Sequence, residues 1–223
     1  MEFQIVGDSL PVVICKLKVG EKMFSEVGGR SWVKGRVLTE TKGGSVGSAI
    51  GRMFTGESLF MSYYTAQEDV EIAFASSFPG SIRAYDLKVG ESIICQKRAF
   101  LAASETVQFT TFMQKKMSSG FFGGEGFILQ KLTGPGLAFV EIDGYAVDYD
   151  LQAGEELVCD TGIMAVMESS NAIEIVSVKG LKNMFLGGEG LFDTVIKGPG
   201  RVTLQTMTFG GFARVLAPFV SSK

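Results

Sequence analysis

The sequence contains no histidine in 223 residues. That absence excludes the Ser-His-Asp triad, the Cys-His dyad and every histidine-ligated zinc site. Cysteine is scarce too. Cys15, Cys95 and Cys159 lie 80 and 64 residues apart, so three thiols cannot pair completely and no Cys-x-x-Cys ligand pair exists. Free thiols in a reducing compartment are the expected state. Charge is sparse and balanced. Lysine and arginine number 21 against 24 acidic residues, a net charge of −3, which argues against a nucleic-acid partner. Long apolar runs are missing as well. The longest uncharged stretch, Val202 to Ala213, carries Gly210 and Gly211 and falls short of the ~18 residues of a spanning helix. No transmembrane segment is expected. The opening Met1-Glu-Phe-Gln-Ile-Val-Gly-Asp has neither the basic and apolar regions of a signal peptide nor the Arg-rich character of a transit peptide. The expectation is a cytoplasmic bacterial protein.

Glycine is abundant: there are 29, against five prolines. Many of these glycines recur in one order. Leu17-Lys-Val-Gly-Glu21 returns as Leu87-Lys-Val-Gly-Glu91 and, diverged, as Leu151-Gln-Ala-Gly-Glu155. Thr55-Gly-Glu-Ser-Leu-Phe60 is followed in later copies by Gly123-Gly-Glu-Gly-Phe127 and Gly187-Gly-Glu-Gly-Leu191. A third motif closes each copy: Phe78-Pro-Gly80, Gly134-Pro-Gly136 and Gly198-Pro-Gly200. Three motifs in one order, three times, mark an internal repeat of ~65 residues. The repeats are expected to span about 1–80, 81–144 and 145–223. Units this small bury too little surface to stand alone, so one compact domain of three packed repeats is expected.

The period within a copy is that of strands. Ile173-Glu-Ile-Val-Ser-Val178 and Val202-Thr-Leu-Gln-Thr206 alternate apolar and polar residues. The glycine and proline motifs are turn chemistry. Short helical turns are expected only at Ser45–Phe54, Lys179–Phe185 and near Phe212–Phe219, the last broken at Pro218. The predicted class is all-β, with three similar sub-domains in a pseudo-threefold arrangement.

The combination of Leu-Lys-Val-Gly-Glu, Gly-Gly-Glu-Gly-Phe and Gly-Pro-Gly resembles the altered-inheritance-of-mitochondria family, over about Phe3 to Pro218. The resemblance implies units with a fold like that of the trp RNA-binding attenuation protein, a β-sandwich or double-stranded β-helix. The family's bacterial members have no known function, and its mitochondrial members are associated with organisation of the inner membrane. It supplies no catalytic residue to carry over.

Three groups of residues are candidates for function. Phenylalanines read as lying in turns include Phe54, Phe60, Phe121, Phe122, Phe185, Phe192, Phe209 and Phe212. A basic residue followed by large apolar ones precedes each glycine-glutamate turn: Arg52, Met53 and Phe54; Lys116, Met117, Phe121 and Phe122; Lys182, Met184 and Phe185. Repeat symmetry would place these on one end of the molecule, as a contact surface or as plugs of the β units. The turn glutamates Glu57, Glu125 and Glu189, with Glu21, Glu91 and Glu155, are the second group. Around an axis they would suit a hard cation; otherwise each accepts hydrogen bonds from its own turn. The repeat-equivalent Cys95 and Cys159, matched by Ser25, are the third and read most simply as small core residues. The resulting expectation is a non-enzymatic binding or scaffold protein without a cofactor. It would act through a second copy or another protein, with peripheral membrane contact allowed. The alternative is a small-ligand or metal-binding protein using the clustered carboxylates.

Overall fold

Strands form where apolar residues alternate, and glycine ends them. In β2 (Val12–Leu17), Val13, Cys15 and Leu17 point into the core while Lys16 faces water. The chain then turns at Gly20, whose φ of +84° suits a residue without Cβ, and enters β3 (Lys22–Glu26). Gly90 and Gly154 repeat that conformation, at φ +83° and +87°. They lead into β9 (Ser92–Gln96) and β15 (Glu156–Asp160). The expected strands after all three glycines are therefore present.

The computed structural model describes residues 1–43, 60–114, 127–177 and 192–220. It is all-β, with 62% of the described residues in strands. The strands up to residue 75 are β1 (Glu2–Val6), β2, β3, β4 (Trp32–Lys34), β5 (Val37–Gly43), β6 (Phe60–Ala66) and β7 (Val70–Ala75). Next come β8 (Gly80–Leu87), β9, β10 (Phe100–Ser104), β11 (Gln108–Gln114), β12 (Phe127–Thr133) and β13 (Gly136–Asp143). The last are β14 (Ala146–Leu151), β15, β16 (Met164–Glu168), β17 (Ala172–Ser177), β18 (Phe192–Lys197) and β19 (Gly200–Gln205).

Every described pairing is antiparallel. β2, β8 and β14 pair with β7, β13 and β19, and those in turn pair with β4, β10 and β16. β3, β9 and β15 pair with β6, β12 and β18, which also pair with β5, β11 and β17. Four sheets result. Two have six strands, in the orders β5-β6-β3-β10-β13-β8 and β11-β12-β9-β16-β19-β14. The other two are β1-β2-β7-β4 and β15-β18-β17.

The core ignores the expected repeat boundaries. One buried cluster joins Phe24 and Met61 to Leu87, Phe100 and Val140, and on to Ala165 and Val166. Another joins Val13, Ile72 and Phe74 to Leu101 and Phe139. Large fully buried side chains such as Phe139 and Phe74 are worth roughly 1.5–3 kcal/mol each.

Helix α1 (Phe209–Val220) departs from expectation. It begins before Phe212 and continues past Pro218. Pro218 sits in the final turn, where it has no N–H to donate to the Arg214 carbonyl, and the helix ends two residues later. The expected turns at Ser45–Phe54 and Lys179–Phe185 lie outside the described residues. Among the described residues, no helix is long and apolar enough to cross a membrane.

Candidate functional site

The basic-apolar residues Arg52, Met53, Phe54, Lys116, Met117, Phe121, Phe122, Lys182, Met184 and Phe185 lie outside the described residues. So do the turn glutamates Glu57, Glu125 and Glu189. Their segments join the two strands of the hairpins β5–β6, β11–β12 and β17–β18. Four aromatics read as turn residues are placed elsewhere: Phe60 in β6, Phe192 in β18, and Phe209 and Phe212 in α1. Each sits beside a turn signal in the sequence, but the neighbouring backbone ladder continues through it.

The second set of glutamates is used locally. Glu21 accepts the Lys18 N–H at 2.8 Å, Glu91 the Lys88 N–H at 2.9 Å, and Glu155 the Gln152 N–H at 2.7 Å. Each carboxylate thus closes the turn that contains its own glycine, which accounts for its recurrence without a cation.

The cysteines are free. Burial pushes the Cys15 and Cys95 thiols up to about 12 and Cys159 to about 11. Thiols held neutral in this way are poor nucleophiles. Cys95 pairs with Gln130 on the neighbouring strand, as Ser25 does with Ser62 and Cys159 with Thr194. Small or polar side chains at the middle of each of these strand pairs are the shared feature.

The most developed site surrounds the start of α1. Thr208 caps the helix: its Oγ1 accepts the Gly211 N–H at 2.9 Å. Asp143 Oδ2 accepts the Phe209 N–H at 3.2 Å. Burial, then the nearby Glu141, raises the Asp143 carboxyl above its ordinary value; the Phe209 N–H and Arg98 oppose that rise. The Phe78 ring meets Phe209 and Phe212 edge-on, at 6.0 and 5.2 Å between centroids. Glu141 holds the turn bearing Phe78. It accepts the Ser76 hydroxyl at 2.9 Å, the Ser77 N–H at 2.7 Å and the Ser77 hydroxyl at 2.9 Å. A cleft of about 180 Å³ opens among these residues.

Arg98 completes the site. Its guanidinium lies over the Phe209 ring, 4.5 Å from the centroid. Its backbone takes φ +75°, where the corresponding turns after β3 and β15 use Gly28 at φ +88° and Gly162 at φ +97°. A left-handed non-glycine residue costs on the order of 1–2 kcal/mol. The arginine thus replaces the less strained glycine where its side chain seats a helix. Sequence reading missed Arg98, although its position opposite two glycines was a usable signal.

Beyond this anchored first turn, α1 is uncovered. None of its residues is buried, and Val215, Leu216, Phe219 and Val220 face solvent. Arg214 is its single charged side chain.

Residues 3–207 match the model of a protein family described as mitochondrial biogenesis AIM24. The chain belongs to this family. A relative in Streptococcus pyogenes serotype M6, an uncharacterized protein, is 25% identical over 220 residues, covering 94% of this chain and 87% of the relative. The crystal structure of another Streptococcus pyogenes protein superposes with a TM-score of 0.80 at 23% identity, covering 98% of this chain and 99% of that one. That likeness shows the fold alone. The family match ends just before α1 and so includes Phe78, Arg98, Glu141 and Asp143, the residues that receive the helix.

Proposed function

We propose that this AIM24-family chain is a non-enzymatic assembly protein that works in the cytoplasm by contact with other protein chains, copies of itself included. In this reading the chain is three units of six strands, each resembling the attenuation-protein unit, related as in the expected pseudo-threefold arrangement but with the third junction left open. The parallel pairing sets described above support it. Within a unit the first, sixth and third strands form one sheet, and the second, fifth and fourth form the other.

The observation that carries the reading is α1. Twelve residues with one charge and no burial are held at one end by a dedicated cap, two aromatic contacts and a strained arginine. An apolar surface presented in this way gains free energy only when something covers it, at ~25 cal/mol per Å². The test compares the full chain with a chain ending at residue 208, by sedimentation velocity and by co-sedimentation with phosphatidylcholine vesicles, with and without anionic lipid. The reading expects larger species for the full chain than for the shortened one, and no vesicle pelleting. Identical sedimentation of the two chains would contradict it, and vesicle pelleting that requires α1 would replace protein contact by membrane contact.

A further inference from the structure

Two of the four sheets are complete in a sense that the other two are not. β5-β6-β3 continues into β10-β13-β8, and β11-β12-β9 continues into β16-β19-β14. The remaining sheets are the two halves of a third sheet of the same order: β17-β18-β15 ends at β15, and β4-β7-β2 begins at β4. Among the described residues these two edges are not joined to each other. We propose that β15 of one copy adds antiparallel to β4 of a second copy, so that copies join head to tail. The proposal rests on the reading of the chain as three equivalent units and names the partner and the surface.

The register follows from the two internal junctions. Leu17, Leu87 and Leu151 pair with Val70, Gly136 and Gly200. Two residues beyond each of these, Ile72, Ala138 and Val202 pair with Val33, Ala103 and Met167. Ala103 in turn faces Phe24, and Met167 faces Ile94, each four residues past its turn glycine. The residue four past Gly154 is Val158, so Val158 faces Val33. Cys159 then faces Trp32, as Cys95 faces Val166, and Leu157 faces Lys34, as Ile93 faces Glu168. The main-chain bonds beside the junctions, Glu105 N–H to the Lys22 carbonyl and Ser169 N–H to the Ser92 carbonyl, have as counterpart Gly35 N–H to the Glu156 carbonyl.

Exposure separates the used junctions from the unused one. Ala102 and Val166 are 0% and 2% exposed, while Trp32 at the corresponding position is 47% exposed. Phe24 is 2% exposed and its counterpart Val158 57%. An apolar strand edge left open in this way is a template for pairing. The charges match. Arg30, Lys34 and Arg36 flank or belong to β4, and Glu155, Glu156 and Asp160 flank or belong to β15. In the inferred register Glu155 lies opposite Arg36, and Glu156 lies between Lys34 and Arg36. Arg36 already pairs with Glu68, and Glu156 with Lys197, so the complement is one of sign along the edge rather than of new isolated pairs. A cleft of about 650 Å³ lined by Lys34, Gly35 and Glu71 opens beside β4. The counterparts Glu168, Ser169 and Arg201 line the cleft where β16 meets β9.

The test is a disulfide between copies. Trp32→Cys places a thiol opposite the native Cys159 of a second copy, and Cys15 and Cys95 are buried. Under mild oxidation the full-length variant is expected to give a ladder of dimer, trimer and larger bands on a non-reducing gel. The ladder should disappear in the double variant Trp32→Cys/Cys159→Ser. In the otherwise native chain Trp32 is the sole tryptophan, and its emission should move to the blue as protein concentration rises. Val158→Lys, at an exposed site, should abolish that shift. No ladder and no shift would overturn the proposal. So would a disulfide within one chain, which would mean that the two edges close on each other. Val166→Cys against the native Cys95 tests the same register inside the chain. If that internal bridge forms and the ladder does not, the three-unit reading stands and the head-to-tail proposal falls. If neither bridge forms, the head-to-tail proposal falls as well.

Discussion

The guanidinium of Arg98 lies 4.5 Å above the ring of Phe209, and it does so from a backbone conformation that glycine favours. Strain in the β9–β10 turn and the seating of α1 are therefore coupled through one side chain.

Arg98→Gly separates the two effects. The turn gains roughly 1 kcal/mol from relief of the left-handed strain. The helix loses its cation–π contact, worth about 0.5–1 kcal/mol at a site of this exposure. The expected outcome is a midpoint of unfolding that holds or rises, with faster amide hydrogen exchange confined to 209–220. Unchanged exchange in α1 would show that Arg98 does not hold the helix.

Asp143 predicts a pH dependence. Its carboxyl is raised in the folded chain, by burial first and Glu141 second. A raised acid binds its proton more tightly in the folded state than in the unfolded one. Its stabilising effect is complete below the unfolded value near 3.8 and is lost as pH climbs through the higher folded value. Asp143→Asn keeps an oxygen to accept the Phe209 N–H and removes the charge. The variant should be at least as stable as the parent at pH 7, and its stability should fall less between pH 4 and neutrality. Denaturant midpoints across that range check this, and parallel curves for the two proteins would contradict it.

Gln130 is fully buried on β12, and its amide donates to Glu26 Oε1 at 2.9 Å, across 104 residues of sequence. The bond ties β12, the partner of β9, to the end of β3. Gln130→Ala should cost about 1–3 kcal/mol, because a cavity opens and a partner of the Glu26 carboxylate is removed from a covered site. Urea unfolding of this variant, with an unchanged slope, measures that cost.

The local devices were legible in the sequence. Gly20, Gly90 and Gly154 carry their conformation in their residue type, and the glutamate after each glycine closes the same turn, so three strands could be placed by reading. Long-range pairing was not legible. Nothing local says that Phe24 meets Ala103 or that Ile94 meets Met167, because strand alternation fixes which face is buried and not which strand lies alongside. Gln130 gave no signal for a similar reason: a polar residue beside Lys131 in a strand reads as solvent-facing until the strand above it is known. Phe209 and Phe212 looked like turn aromatics beside Gly210 and Gly211. Their helix is stabilised by groups far away in sequence, namely Asp143, Phe78 and Arg98.

Sedimentation equilibrium of the purified full-length protein over a hundredfold range of concentration tests the central claim most directly. The account predicts a weight-average mass that climbs above the 24.0 kDa of one chain and a climb that is suppressed in Val158→Lys. A mass that stays at 24.0 kDa throughout, in parent and variant alike, would contradict it.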